Sequence, residues 1–139
     1  MKPCLYLLIT ALFLVSCDQQ EVDASRLVTR NDTFYEINSD TPFTGVSLTY
    51  HENGQVDERV TFKYGKMQSR TNFKEGLIEG IREQCHANGT LYSRENYKDG
   101  ERDGIAELYY EYGTLLARTN YKDGEDLGSC YEPDCTDFR

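Results

Sequence analysis

Along most of the chain, polar and apolar residues alternate with a period of two in runs of roughly eight, and each run ends in a pair whose second member is glycine. This period belongs to β-strands, whose successive side chains point to opposite sides. The closing pairs are Asn53-Gly54, Tyr64-Gly65, Glu75-Gly76, Asn88-Gly89, Asp99-Gly100, Tyr112-Gly113 and Asp123-Gly124, at steps of 11, 11, 13, 11, 13 and 11 residues. Asn-Gly and Asp-Gly suit type I′ hairpins, in which both central residues need positive φ. The pattern therefore predicts an all-β fold, a repetitive antiparallel β-meander forming a single-layer sheet. Strict alternation places Val56, Glu58, Val60 and Phe62 on one face, with Met67, Ser69, Thr71 and Phe73. The same face would hold Leu91, Ser93, Glu95 and Tyr97, then Leu115, Ala117, Thr119 and Tyr121. The opposite face would stack Arg59, Arg70, Arg94 and Arg118 beside Thr61, Asn72, Asn96 and Asn120. One face is thus expected to be moderately apolar. The other is polar, and its Arg and Asn residues form the candidate binding face.

The strands come in a repeated unit. Residues 80–103 and 104–127 agree at 13 of their 24 positions, too many for two unrelated strand pairs. Arg70–Gly76 matches Arg94–Gly100 and Arg118–Gly124, and Gly45–Gly54 matches the opening of each block. The 11-residue step from Gly65 to Gly76 adds a strand out of phase with the unit. Because each rung buries its neighbours, stability should rise with the number of repeats.

The first 17 residues follow another pattern. Lys2 precedes an apolar run from Cys4 to Val15, broken only by Thr10. As a helix this run spans about 18 Å, short of the roughly 30 Å hydrocarbon core, so it reads as a signal-peptide core. Leu14-Val15-Ser16-Cys17 resembles the bacterial lipobox. That resemblance implies a diacylglyceryl thioether on Cys17, cleavage before it and acylation of the new amino group. Several acyl chains make a lasting anchor. The expected location is a bacterial membrane, with the body lipid-anchored and facing the periplasm or exterior. Residues 18–25 are polar and acidic, which suggests a tether of at most about 27 Å. The expected division is signal peptide 1–16, acylated Cys17 and tether 17–26, repeat domain 27–128 and C-terminal cap 129–139.

Charge narrows the partners. The net charge is −9, and loss of Lys2 with the leader takes it to −10. Nucleic acid and anionic lipid surfaces would repel such a body. Trp is absent, yet 11 Tyr and 6 Phe are present, a profile suited to a thin sheet of amphipathic aromatics rather than to a disordered chain.

Tyr50–Val56, Asn96–Gly104 and Asn120–Gly128 resemble the bacterial MORN-variant repeat, Y-x-E-N-G-x-L followed by N-Y-K-x-G-x-x-x-G. Phe34-Tyr35 and Thr41-Pro42-Phe43-Thr44-Gly45 look like its usual lead-in. The resemblance covers about residues 27–130. The repeated, evenly spaced side-chain ladder suits an extended surface rather than a pocket, so the leading expectation is a non-catalytic module that binds or scaffolds a protein partner or envelope polymer. Because relatives carry the label of YwqK-type antitoxins, the resemblance implies the alternative of an antitoxin or immunity protein. Cys85-His86-Ala87-Asn88 and Tyr109-Tyr110-Glu111-Tyr112 depart from the expected Tyr-x-Glu-Asn.

Conventional chemistry is sparse. Export would favour a disulfide between Cys130 and Cys135, four residues of separation closing a small loop. Cys85 aligns with Tyr109 one repeat on, an ordinary strand position, and Cys85, His86 and the terminal pair lack any standard zinc spacing. His51 and His86 share a repeat register, which explains both without catalysis. Glu83 and Glu107 repeat as well and are expected at a solvated sheet edge. The glycines are turn glycines rather than a phosphate-binding loop. No enzyme, cofactor or metal is expected.

Overall fold

The computed structural model describes residues 19–135; the leader, the lipidation expected at Cys17 and the last four residues lie outside them. The chain forms β1 (Glu21–Asp23), a 3-10 turn (Ala24–Arg26), β2 (Leu27–Arg30) and β3 (Thr33–Glu36). A meander follows: β4 (Gly45–Tyr50), β5 (Val56–Lys63), β6 (Lys66–Lys74), β7 (Leu77–Cys85), β8 (Leu91–Lys98), β9 (Glu101–Arg102), β10 (Gly104–Tyr109), β11 (Leu115–Lys122) and β12 (Glu125–Tyr131). The sheet order is β1-β4-β5-β6-β7-β8-β10-β11-β12, with β9 paired to β8. All its pairings are antiparallel except β1 with β4. The antiparallel meander is therefore the fold.

Two kinds of turn join the strands. At Tyr64-Gly65, Glu75-Gly76, Asp99-Gly100 and Asp123-Gly124 both residues have positive φ, as type I′ requires. At Asn53-Gly54, Asn88-Gly89 and Tyr112-Gly113 only the glycine does. There the Gly N–H donates to the carbonyl three residues back, from Gly54 to His51, Gly89 to His86 and Gly113 to Tyr110, at 2.8–2.9 Å. These are three-residue loops, a type I turn followed by a left-handed glycine. The expectation of type I′ thus fails at both Asn-Gly pairs, because the extra loop residue needs only one left-handed position. Since β6 is inserted singly, the first such loop, Asn53-Gly54, lies at the end of the sheet opposite to those at Asn88-Gly89 and Tyr112-Gly113.

Residues 21–26, expected within the tether, belong to the fold. Val22 is buried, and β1 aligns Glu21, Val22 and Asp23 with Val46, Ser47 and Leu48. One apolar side chain in a polar stretch suffices to seat the strand. At the other end β12 runs to Tyr131, beyond the expected limit at 128.

The core lies at the N-terminal end of the sheet, where the β2–β3 hairpin covers one face. Val22, Phe43, Val60 and Phe62 are buried, with Leu27, Phe34 and Met67 packed against them. The Phe62 ring centroid is 4.8 Å from Phe34 and 5.7 Å from Phe43. The Tyr64-Gly65 turn is fastened into this region. Gly65 N–H donates to Phe43 O (2.7 Å), Phe34 N–H to Gly65 O (2.9 Å) and Tyr64 N–H to Thr44 Oγ1 (2.9 Å).

Candidate functional site

Residues directly opposite each other in an antiparallel sheet share a face. The observed register therefore assigns the faces without assuming strict alternation. Val60, Arg70, Glu83, Arg94, Glu107 and Arg118 stand opposite one another in succession, forming one row across β5, β6, β7, β8, β10 and β11. Asn72, Asn96 and Asn120 share this face. Arg59 does not: it is opposite Leu48 and Thr71 on the other face, where Nη2 lies 3.6 Å from Glu21 Oε1. The expected faces hold for β6, β8 and β11, where Ser69, Thr71, Ser93, Glu95, Ala117 and Thr119 lie behind the arginines. They fail in β5, where Val60 sits in the arginine row and Arg59 and Thr61 lie behind it. The cause is a register irregularity near the ends of most hairpins, between Thr61/Phe62, Thr71/Phe73, Gln84/Cys85, Leu108/Tyr109 and Asn120/Tyr121. An extra residue breaks the count of two.

Glu83 and Glu107, expected at a solvated edge, are in the interior of the sheet and alternate with the arginines. Arg94 donates to Glu83 Oε1 from Nη2 (2.7 Å) and Nε (2.9 Å), while Arg70 Nη1 approaches Glu83 Oε2 at 3.7 Å. Arg118 Nε donates to Glu107 Oε1 at 2.8 Å, and Tyr109 Oη donates to Glu107 Oε2 at 2.7 Å. Arg70 Nε is 3.2 Å from Glu58 Oε2 but out of line for a hydrogen bond, which leaves it a buried donor without an aligned acceptor. The Glu83 side chain is 10% exposed and that of Arg94 46%. The carboxylates thus lie beneath, and the guanidiniums keep part of their donor edges in solvent. Arginines in successive repeats are two strands apart, about 10 Å.

The charges act on one another. Burial opposes ionisation of Glu107, but the hydrogen bonds from Tyr109 and Arg118, with the charges of Arg118 and Arg94, hold its carboxyl below the usual range. Burial and the Glu107 carboxylate push the Tyr109 phenol up to about 12. The depressed Glu107 pKa contributes stability that is complete above the carboxyl pKa of the unfolded chain. It is lost as pH falls through the lower folded value. Glu107→Gln should remove this part of the acid dependence, as read from urea midpoints between pH 3 and 6.

The remaining candidates are structural. Asn96 Nδ2 donates to Ile105 O at 2.7 Å, tying β8 to β10. The ring nitrogens Nε2 of His51 and His86 donate to Phe73 O (2.8 Å) and Tyr109 O (2.9 Å), so each clamps a loop to the strand beyond its own hairpin. Cys130 and Cys135 form a disulfide with Cα atoms 5.3 Å apart, closing the loop after β12. Cys85 is a free, half-buried thiol, its pKa raised by burial and by the Glu83 charge. It lies four strand spacings from β12, about 19 Å, so it cannot join the terminal pair around zinc. Among the described residues, no three His, Cys, Asp or Glu side chains group as a metal cage.

The molecule is a β-repeat protein whose repeated feature is a surface rather than a pocket. Residues 43–64, 78–99 and 102–123 match the MORN repeat variant, so the chain carries three repeats of this type. Each match is one hairpin with a three-residue loop: β4–β5, β7–β8 and β10–β11. The matches begin 35 and then 24 residues apart, and the 11-residue difference is β6 with its turn. Repeats of this family are generally non-catalytic binding or scaffold modules. No curated protein matches the chain.

Proposed function

We propose that this protein is a lipid-anchored binding or scaffold module of the bacterial envelope, held at the membrane through Cys17. Its working surface is the row of Arg70, Arg94 and Arg118. The observation that carries this reading is the register. It turns repeated arginines into evenly spaced guanidiniums with buried carboxylates beneath and donor edges outward. Fixed donors at a regular interval suit an extended acceptor surface on a protein partner. The acidic body does not suit nucleic acid.

Two experiments test it. Intact mass of the membrane-extracted protein should match residues 17–139 plus acyl chains, and Cys17→Ser should lose them. An unmodified full-length mass in the cytoplasm would remove the anchor. Cross-linking in membranes should then recover a specific partner with the native chain and much less with Arg94→Ala/Arg118→Ala. Equal recovery would sink the role of the arginine row. Rescue of a toxic gene product by co-expression would instead favour the antitoxin alternative.

A further inference from the structure

The three loops that close the repeats are not chemically equivalent. In the first two, His51 and His86 clamp a neighbouring strand. Asn53 Oδ1 accepts from Gln55 N–H (3.0 Å), and Asn88 Oδ1 from Thr90 N–H (2.9 Å). In the third, Tyr110 stands in the histidine position and Tyr112 in the asparagine position. Neither makes the corresponding hydrogen bond among those described. Their rings instead stack in parallel, with centroids 5.0 Å apart and planes within 6°, and Tyr112 is 74% exposed. The third loop has given up two side-chain bonds, each worth about 1 kcal/mol, for a solvent-facing aromatic pair. A local rule broken without a structural return points to function.

We propose that the β10–β11 loop is a glycan-binding site, whose stacked Tyr110 and Tyr112 rings receive the apolar face of a sugar in an uncharged polysaccharide. The platform is preorganised. Asn88 Nδ2 (3.1 Å) and Thr90 Oγ1 (2.9 Å) both donate to Glu111 O, fixing the backbone between the two tyrosines to the preceding loop. The negative faces of the rings suit aliphatic C–H groups, while the phenol hydroxyls and Glu111 suit sugar hydroxyls. Tyr92 and Tyr131 are also exposed at this end of the sheet.

Charge and shape select the ligand. Residues 85–93, 103–117 and 123–135 contain no Lys or Arg, whereas Glu111, Glu132 and Asp134 lie close to the site in sequence. Single-stranded nucleic acid would also stack on tyrosine, but its phosphates need cations that these stretches lack. A stable protein interface needs about 800 Å² per partner, and this rim is one loop deep. A polysaccharide needs only a flat aromatic platform the width of one sugar ring.

The site deepens the binding-module reading, on which it rests. The test uses the full chain with its disulfide intact, titrated with β-1,4-linked N-acetylglucosamine and glucose pentamers. Titration calorimetry, which needs no tyrosine reporter, measures binding in native chain and variants alike. Tyr110→His/Tyr112→Asn restores the side chains of the other repeats, so it should fold at least as stably as the native chain. It should bind about tenfold more weakly or worse. Tyr50→Ala, at the opposite end of the sheet, should bind as the native chain does. The site is overturned if neither pentamer binds, if the double variant binds equally well, or if oligothymidylate or phosphatidylcholine vesicles compete for the same tyrosines. Partner capture through the arginine row, without pentamer binding, overturns this site alone.

Discussion

Phe62→Ala is expected to destabilise the protein by about 4 kcal/mol, a large part of what a domain of this size has. Phe62 is buried between Phe34 of the hairpin and Phe43 of the lead-in. Truncation removes both aromatic contacts and leaves a cavity that β5, paired on both sides, cannot collapse to fill. The loss should be regional. Repeats communicate through nearest neighbours, so amide protection should fall first in β2, β3 and β4 and persist longer in β8, β10 and β11. Hydrogen exchange on the variant separates this outcome from uniform unfolding, which would contradict the quasi-linear view of the fold.

The second large effect belongs to a glycine. Gly65→Ala should cost about 3 kcal/mol, whereas Gly76→Ala should cost about 1 kcal/mol. Both residues have φ between +74° and +79° in type I′ turns, so the backbone strain is shared. Surroundings make the difference. A Cβ at Gly76 meets nothing within 4 Å, but one at Gly65 would crowd Thr33 Cγ2 and come within 2.9 Å of Phe34 O. Relief would require the turn to leave the hairpin, breaking the hydrogen bonds to Phe34 and Phe43. Urea unfolding of both variants measures the gap, and equal losses would show that the hairpin is not fastened there.

The sequence made the strands, the turn pairs and the two-strand repeat legible because they are local: a period of two and glycine at a left-handed position. Face assignment was legible in β6, β8 and β11 but not across the step from β5 to β6. It accumulates over a whole strand and one irregular residue reverses it, as Arg59 shows beside Arg70. The hairpin over Phe62 and the seating of Val22 depend on contacts far apart in the chain. The glutamates of the charged row did leave a signal. From Arg70 to Glu83, Arg94, Glu107 and Arg118 the steps are 13, 11, 13 and 11 residues, the same beat as the turns from Gly76 onward. Side chains that keep step with the turns fall opposite one another. The tyrosine pair is equally visible once the loops are aligned, although stacking and exposure had to come from the structure.

β6 acts on this array much as a single inserted letter acts on a reading frame. Everything downstream is displaced, but the meaning that shifts is the end of the sheet, not its face. The cross-strand row continues through β6 from Val60 to Glu83, while every later loop exchanges ends with the turns. Deleting Lys66–Gly76 would therefore carry the Tyr110–Tyr112 pair to the opposite rim and leave the arginines on the side they now occupy. Gain or loss of one strand lets such an array change what it shows at its ends while keeping what it shows on its faces.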